Sequence, residues 1–241
     1  MILTVKIADK IIELDVIHPE LKDFLNDYLV PHQAPDLVLS CTKEDVLAEQ
    51  DILSETSFPE SYLETLAILR KIAEFFPGYN RLLIHGASIS YQNKAYLFCA
   101  PSGTGKSTHI RLWREYLGAD VGIVNGDKPF ISLENDKPII YGTPWAGKEN
   151  WQRNCSAQLD GICFIQRGTI NRIRKVEPSE IIPLLFKQVY LPKDPVAAGQ
   201  TLELADILTK KVPLYILECD ISEDAVRCSF ETMTGLPYKL M

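Results

Sequence analysis

The sequence predicts an α/β protein with a mixed sheet core and a small amino-terminal α/β region. Short runs rich in β-branched and aromatic residues alternate with helical patterns along the chain. One strongly apolar run, residues 94–99, passes directly into a glycine-rich loop that precedes a helical pattern. With 241 residues, 46% of them hydrophobic and 24% charged, the chain can bury the core of one domain with an appendage.

Net charge, cysteine pattern and the amino-terminal sequence indicate the kinds of partner, the redox state of the thiols and the location to expect. The formal net charge of −7 opposes nucleic acid binding, and no basic patch is evident. The six cysteines are widely spread and form no Cys-x-x-Cys pair, which indicates reduced thiols. The first residues contain no long apolar run, so we expect no signal peptide, no membrane partner and a cytoplasmic location. A homo-oligomer is compatible with these features.

Residues 1–78 are predicted to form the amino-terminal region, packed on a core domain of residues 79–241. The predicted elements of this region are a hairpin of strands 2–7 and 11–17, a helix over 20–29, and a strand over 36–41. A further amphipathic helix begins after Pro59, because Tyr62, Leu66 and Leu69 recur at helical spacing. Pro77-Gly78 ends it.

The core domain is predicted to alternate strands with helices. The predicted strands are 82–89, 94–99, 121–124, 130–133, 138–141, 160–166, 171–175 and 213–219. The predicted helices run from the glycine-rich loop to residue 117 and over 179–189, 195–210 and 222–233. Together these elements describe a single sheet covered by helices.

The glycine-rich loop matches the phosphate-binding pattern G-x-x-x-x-G-K-[ST] (Walker A), with alanine in place of the first glycine. Its predicted nucleotide-binding residues are Ala100, Pro101, Ser102, Gly103, Thr104, Gly105, Lys106, Ser107 and Thr108. The glycines allow backbone N–H groups to curl around phosphate oxygens, and Lys106 adds a positive charge. The Ser107 hydroxyl can reach Mg²⁺. The loop therefore predicts ATP and Mg²⁺ as ligands, whereas an ordinary flexible turn would explain neither the apolar strand before it nor Lys-Ser-Thr after it.

Asp127 is the candidate acid. It follows the apolar strand 121–124 in Asn125-Gly126-Asp127, where a right-handed βαβ unit would deliver it beside the loop. There it can ligate Mg²⁺ or accept a proton from an attacking hydroxyl. A simple turn is the alternative interpretation of this segment, and Asp120 is the rival acid.

His85 is the candidate catalytic histidine. It lies in a strand that precedes the loop strand, and its ordinary pKa lets it orient or share a proton near the reacting phosphate. A buried structural histidine is the alternative. His109, on the helix after the loop, is typical of a surface or packing residue.

His85-Gly86, APSGTGKST and VNGDKPFI together resemble the catalytic core of HPr kinase/phosphorylase-like proteins, which are structurally related to ATP-dependent phosphoenolpyruvate carboxykinase. The resemblance covers roughly residues 80–170. It implies that core fold, a histidine near the catalytic centre, an ATP-binding loop, and an Asp-Asp pair with base and metal functions. Asp127 matches the second acid of the pair, and Gly126 replaces the first.

Residues 141–150 and 161–168 also look like segments of HPr-kinase-like proteins of unassigned substrate. On the first segment, Lys148 can swing onto a phosphate, and Trp145 can stack on a base or cover the site. A surface lysine and a packing tryptophan are the alternatives. Residues 1–78 do not resemble the regulatory domain of HPr kinase/phosphorylase, and no HPr-binding segment is recognisable, so HPr is not the predicted substrate.

These observations predict a kinase that transfers the γ-phosphoryl group of ATP to a hydroxyl, with Lys106, His85 and Asp127 as catalytic residues. The acceptor is a serine of a peptide or protein, or a small hydroxylated metabolite. A non-catalytic ATP sensor or partner-binding module is the alternative, motivated by Gly126 in place of an acid. A GTPase switch is disfavoured because the chain has no Asn-Lys-x-Asp motif.

Overall fold

The computed structural model describes residues 1–53 and 57–238. The amino-terminal region forms a three-stranded sheet in which the predicted hairpin is confirmed: β1 (Ile2–Ile7) and β2 (Lys10–Asp15) are antiparallel, and β3 (Leu37–Ser40) pairs parallel with β2. Ala8 and Asp9 both have positive φ, as a two-residue hairpin turn requires. The helices here are α1 (Leu21–Phe24), α2 (Lys43–Leu53) and α3 (Glu60–Phe75).

The rest of the described chain forms one nine-stranded sheet and four helices. The strands are β4 (Arg81–Leu83), β5 (Ala87–Tyr91), β6 (Lys94–Cys99), β7 (Val121–Asn125), β8 (Phe130–Ser132), β9 (Ile139–Tyr141), β10 (Ser156–Arg167), β11 (Arg172–Lys175) and β12 (Leu214–Cys219). The helices are α4 (Lys106–Leu117), α5 (Pro178–Leu185), α6 (Pro195–Lys211) and α7 (Glu223–Thr234).

The large sheet is mixed, as predicted. Its main order is β4-β8-β9-β10-β6-β5-β7, and β10 runs parallel to both β6 and β12 while the other pairs are antiparallel. One edge of β10 pairs with β6. Its other edge pairs first with β9 and then with β12, beyond which lies β11.

Helices cover both faces of this sheet. Leu97 and Phe98, neighbours on β6, belong to opposite apolar clusters, because successive strand residues point to opposite faces. The cluster around Leu97 includes apolar residues of α5 and α6. The cluster around Phe98 includes those of α4 and α7, with Trp113 fully buried at its centre.

The amino-terminal sheet and α3 share an apolar cluster with residues of the large sheet and its loops, including Leu83, Phe130 and Trp145. Arg81, which is 1% exposed, donates from Nε to the Ala8 carbonyl oxygen at 2.6 Å. Its guanidinium also pairs with Glu134 at 3.0 Å. A buried arginine is tolerated here because its donors meet carbonyl and carboxylate oxygens.

Several predicted elements differ from the structure. The predicted strand 82–89 is wrong as one strand, because β4 and β5 pair with different neighbours and are separated by Ile84-His85-Gly86. Gly86 lies so close to β6 that a Cβ there would be 2.7 Å from Leu97 Cδ1. The predicted helix 20–29 is only α1 and a 3₁₀ turn at Asn26–Tyr28, residues that favour turns.

Two further helices were misjudged. Helix α2 was not predicted, because its apolar positions are few, although its acidic first turn is a signal for a helix start. Helix α5 ends at Leu185 instead of residue 189, and a turn then carries the chain to Val189, where Gln188 N–H and Val189 N–H both donate to the Leu185 carbonyl oxygen.

Strand β7 was expected beside the loop strand β6, and this expectation is wrong. Strand β5 lies between them and is antiparallel to both. Strands β6 and β7 are therefore parallel to each other, so their carboxyl ends still lie at the same edge of the sheet. The acid after β7 and the loop after β6 meet at that edge.

Candidate active site

The glycine-rich loop connects β6 to α4 along a backbone path that requires glycine at two positions. Gly103 and Gly105 have φ of 75° and 122°, a region that glycine adopts without steric cost. The first helical hydrogen bond runs from His109 N–H to the Gly105 carbonyl oxygen at 2.9 Å. Within the described residues, the N–H groups of Lys106, Ser107 and Thr108 have no partner. They form the positive end of a 12-residue helix.

Lys106 reaches back along the loop. Its side chain is buried, and Nζ donates to the Ala100 carbonyl oxygen at 2.9 Å. Burial lowers the pKa of Lys106, while the Asp127 carboxylate acts in the opposite direction. Ala100, which replaces the first glycine of the Walker A pattern, is buried in the core.

Arg167, at the end of β10, holds the outer side of the loop. Its guanidinium donates to the Gly103 carbonyl oxygen, and its Nε donates to the Thr104 carbonyl oxygen at 3.3 Å. Because the N–H and C=O of one peptide unit point in opposite directions, a Thr104 carbonyl turned outward directs the Gly105 N–H toward the cavity side. Sequence reasoning did not single out Arg167, which lies 63 and 64 positions after the two loop residues that it contacts.

Asp127 and His85 form a pair at the same edge of the sheet. His85 Nε2 lies 3.1 Å from Asp127 Oδ1, and Gly86 N–H donates to the Asp127 carbonyl oxygen at 2.9 Å. Burial raises the pKa of Asp127, but the His85 hydrogen bond and the charge of Lys128 outweigh it, so the net pKa is below its ordinary value. The carboxylate is therefore ionised at neutral pH and can accept a proton.

Gln188 fixes the imidazole of His85 from the other side. With its amide nitrogen turned toward its acceptors, Gln188 Nε2 donates to His85 Nδ1 at 3.1 Å and to the Ala100 carbonyl oxygen at 3.3 Å. His85 Nδ1 is then an acceptor, so the ring proton lies on Nε2, facing Asp127. Gln188 lies about 100 positions from His85, and no local motif marks it.

Asn125 organises the turn that carries Asp127. This fully buried side chain accepts from the N–H groups of Asp127 and Lys128 at 2.8 and 2.7 Å. Its amide nitrogen donates to the Thr143 carbonyl oxygen at 2.9 Å. The signal for this role was present in the sequence, because Asn before Gly favours an Asx turn. A turn was the alternative interpretation of this segment, but the Asn125 side chain was not assigned a role in it.

Gly126 is closely packed. A Cβ there would be 2.8 Å from the Ala146 carbonyl oxygen and 3.3 Å from the Trp151 carbonyl oxygen. Its N–H donates to the latter at 2.8 Å. A carboxylate at this position would require the backbone near residue 146 to move, so the site is built around a single acid, Asp127.

A cavity of about 980 Å³ brings these groups together. Its loop side consists of Ser102, Gly103, Gly105, Lys106, Ser107 and Thr108. His85, Asp127, Lys128 and the exposed Lys148 also line it. Ala100, Pro101 and Thr104, which were also predicted to contact nucleotide, are not among the residues that line the cavity, and Ala100 is buried in the core.

The amino-terminal region supplies an apolar wall of the same cavity. Phe24, Tyr62, Leu66 and Leu69 line it. Trp145 joins this wall to the site, since its indole Nε1 donates to the Thr65 carbonyl oxygen at 2.9 Å and its ring packs edge-on against Phe24. Trp145 is 5% exposed, which favours the packing role over base stacking.

Other predicted candidates lie apart from the cavity. Asp120, the rival acid, is at the amino end of β7, opposite to Asp127. His109 is buried between α4 and α7, with Nε2 3.0 Å from Ser229 Oγ, and burial lowers its pKa to about 3. His109 is therefore a neutral packing residue.

No family model matches the chain, and comparison with curated proteins gives no match either. Among solved structures, the chain is similar to the HPr(Ser) kinase/phosphatase from Coxiella burnetii, with 15% identity and a TM-score of 0.34 over 64% of this chain and 93% of that one. Across residues 1–53 and 57–238, no helix has the length and apolar character needed to cross a bilayer.

Proposed function

We propose that this protein is an ATP-dependent kinase with a core of the HPr kinase and phosphoenolpyruvate carboxykinase type, which transfers the γ-phosphoryl group to a hydroxyl. The observation that carries the proposal is the shared cavity: the free N–H groups at the start of α4 and the His85–Asp127 pair face one space. Anion binding and proton acceptance are the two requirements of phosphoryl transfer to a hydroxyl.

The loop holds the polyphosphate in this proposal. The N–H groups of Lys106, Ser107 and Thr108 donate to phosphate oxygens, helped by the helix dipole. Lys106 exchanges its contact with the Ala100 carbonyl oxygen for a phosphate oxygen, and its charge stabilises the transferring group. Lys148, on a loop with Gly147 at φ 75°, supplies a second cation from across the cavity.

The residues present fit Mg²⁺ bound together with ATP. The described residues contain no cluster of three or more His, Cys, Asp or Glu side chains suited to a metal by themselves. Magnesium needs only one or two protein oxygen ligands when phosphates complete its shell. Ser107 Oγ would supply one, and Asp127 would hold the ion through one of its water ligands. When bound, the ion neutralises charge on the phosphates.

Asp127 is the proposed base. As the acceptor oxygen forms its bond to the γ-phosphorus, its proton passes to the Asp127 carboxylate, the bond to the bridging β-γ oxygen breaks, and ADP leaves. His85 donates from Nε2 to Asp127 Oδ1, and Asp127 Oδ2, which lies 3.6 Å from Lys128 Nζ, is the oxygen that takes the proton of the acceptor. Gln188 holds His85 in the required tautomer.

The acceptor enters from the amino-terminal side. In-line transfer places the leaving ADP and the acceptor on opposite sides of the γ-phosphorus. Gly147 packs against Asp127, so that a Cβ on Gly147 would be 3.1 Å from Asp127 Cβ, and this segment leads to Trp145 and the apolar wall. We therefore propose an acceptor whose hydroxyl adjoins an apolar group that contacts Tyr62 and Leu66: a peptide or protein serine, or a small metabolite.

Transfer from labelled ATP to a panel of serine peptides and hydroxylated metabolites tests the proposal. Asp127→Asn should reduce transfer by about 10²–10⁴-fold, because a positioned general base contributes that much. Asp120→Asn, at the other end of the same strand, is the matched control and should keep full activity. Equal activity of Asp127→Asn and the parent protein would reject the assignment.

A non-catalytic ATP sensor is the second candidate, and the packing of Gly126 favours it, because no second carboxylate can be placed there without backbone movement. The two candidates differ in turnover. A sensor binds ATP through Lys106 and shows no phosphoryl transfer to any member of the panel. Gly126→Asp cannot decide between them, since the substitution itself displaces the segment near Ala146.

A further inference from the structure

The proposed mechanism gives no binding function to Lys128, one of the cations in the candidate active-site cavity. Lys128 follows Asp127 directly, lines the cavity, and has a side chain that is 30% exposed. Its backbone is fixed on both sides. The Lys128 N–H donates to Asn125 Oδ1 at 2.7 Å, and its carbonyl oxygen accepts from Thr143 Oγ1 at 2.8 Å. Buried hydrogen bonds therefore hold the backbone from which this side chain extends.

The protein satisfies the ammonium group of Lys128 only in part. Nζ lies 3.6 Å from Asp127 Oδ2, which makes an ion pair but is longer than a hydrogen bond. Among residues 1–53 and 57–238, no other carboxylate pairs with Lys128, and no acceptor lies within hydrogen-bond distance of Nζ. The three N–H donors of this half-buried side chain are thus open to a ligand in the cavity.

In the proposed function, this ammonium group lies on the acceptor side of the reacting phosphate. His85 engages Asp127 Oδ1, so the acceptor hydroxyl meets Oδ2, the oxygen beside Lys128 Nζ. A hydroxyl oxygen about 2.7 Å from Oδ2 is then at most roughly 6 Å from Nζ. The other two lysines of the cavity, Lys106 and Lys148, are assigned to phosphate oxygens. Lys128 is left for the acceptor.

We propose that the acceptor carries a carboxylate one or two carbons from its reacting hydroxyl, and that Lys128 binds this carboxylate. The proposal rests on the proposed function, which places the acceptor at Asp127. A charge-assisted hydrogen bond from Nζ holds the carboxylate and orients the hydroxyl toward Oδ2 and the γ-phosphorus. A single ammonium group balances one negative charge, which favours a carboxylate over a phosphate.

This requirement narrows the class of acceptor. The carboxylate lies at Lys128, and the apolar wall at Tyr62 and Leu66 contacts the rest of the molecule. The acceptor is then a 2-hydroxy or 3-hydroxy acid with an apolar substituent. A serine within a peptide chain does not meet the requirement, because its carboxyl group is part of an amide.

Two acylated serines that differ only in the carboxylate test the proposal: N-octanoyl-L-serine and N-octanoyl-L-serinamide. With labelled ATP and Mg²⁺, kcat/KM for the acid should exceed that for the amide at least about tenfold, because only the acid forms a charge-assisted hydrogen bond. Lys128→Met should bring the ratio of the two values close to one. The ratio cancels any effect of the substitution on Asp127 itself, because that effect is common to both acceptors.

Lys148→Met is the matched control within the cavity. Lys148 is assigned to phosphate, so its loss should lower transfer to the acid and to the amide alike and keep their ratio. Equal kcat/KM values for acid and amide in the parent protein, or an unchanged ratio in Lys128→Met, would overturn the proposal.

Calorimetric titration with the same two compounds, in the presence of ADP and Mg²⁺, separates this proposal from kinase activity. No phosphoryl group is transferred, and ADP occupies the N–H groups at the start of α4 that could otherwise attract a carboxylate. The acid should bind at least about tenfold more tightly than the amide, and Lys128→Met should remove the difference.

The two proposals fail in different ways. Preferential binding of the acid through Lys128 without phosphoryl transfer to either compound would reject the kinase and support the carboxylate site. Phosphoryl transfer without preference for the acid would support the kinase and overturn the carboxylate site. Absence of saturable binding of the acid would overturn the carboxylate site as well.

Discussion

Single buried polar side chains hold the candidate catalytic groups in place. Asn125 connects the turn at Asp127 to Thr143, and Gln188 connects His85 to the loop. Neither residue contacts the proposed substrate oxygens. Their function is to restrict the geometry of the residues that do, since a base must be within hydrogen-bond reach of the proton it accepts.

Asn125→Ala should destabilise the fold by about 2–4 kcal/mol, because it leaves the N–H groups of Asp127 and Lys128 and the Thr143 carbonyl oxygen without their partner. Urea unfolding measures the change. Asn135→Ala, at an exposed turn, is the control and should be nearly neutral. Equal free energies of unfolding for the two variants would contradict the role of Asn125.

The sequence predicted the loop, Asp127 and His85 because each lies in a local pattern that chemistry makes recognisable. Arg167 and Gln188 were missed because they reach the site through tertiary contacts with residues 60 or more positions away. Asp127 lies after a strand end and beside the loop, as predicted, although β5 separates β6 from β7. The two strands are nevertheless parallel, as in any βαβ unit, and their carboxyl ends therefore lie at the same edge of the sheet.

A buried neutral histidine, His109, lies between helices α4 and α7 and contacts both. His109 Nε2 lies 3.2 Å from Trp113 Nε1 and 3.0 Å from Ser229 Oγ. Burial lowers the pKa of His109 to about 3 from 6.5, so the unfolded chain binds this proton at higher pH than the folded protein does. The folded state is thus favoured above pH 6.5 and loses this advantage as pH falls toward 3.

Between about pH 6 and 4, His109→Gln should therefore show a shallower loss of stability than the parent protein, by up to about 1.4 kcal/mol per pH unit. Chemical unfolding at a series of pH values provides the comparison. Asn135→Ala, an exposed change that leaves His109 in place, should retain the parent pH dependence. Parallel curves for His109→Gln and the parent would show that His109 does not titrate in this way.

The amino-terminal region and the core meet through one apolar cluster and through polar contacts, which include those of Arg81, Tyr141 and Glu74. Residues 79–241 remain a proposed domain. Its apolar residues Leu83, Phe130 and Trp145 are nevertheless buried against residues 1–78. Residues 1–78 also supply the apolar wall of the candidate active-site cavity. No motif in these residues indicated that role.

A fragment of residues 79–241 should consequently melt more than about 10 °C below the full chain, because it exposes three large apolar side chains. Thermal unfolding followed by circular dichroism measures the difference. Addition of a 1–78 fragment should restore part of the lost stability. A fragment that melts with the full chain would show that the core is independent of its amino-terminal cover.

Calorimetric titration of the full chain with ATP and Mg²⁺ tests the central claim most directly. We expect one site per chain, weakened at least tenfold by Lys106→Ala, since a charge-assisted hydrogen bond contributes about 1.5–3 kcal/mol. Lys94→Ala, at the amino end of β6 and so at the opposite edge of the sheet from the loop, should bind like the parent protein. Absence of ATP binding, or equal affinity of Lys106→Ala and the parent, would contradict the account.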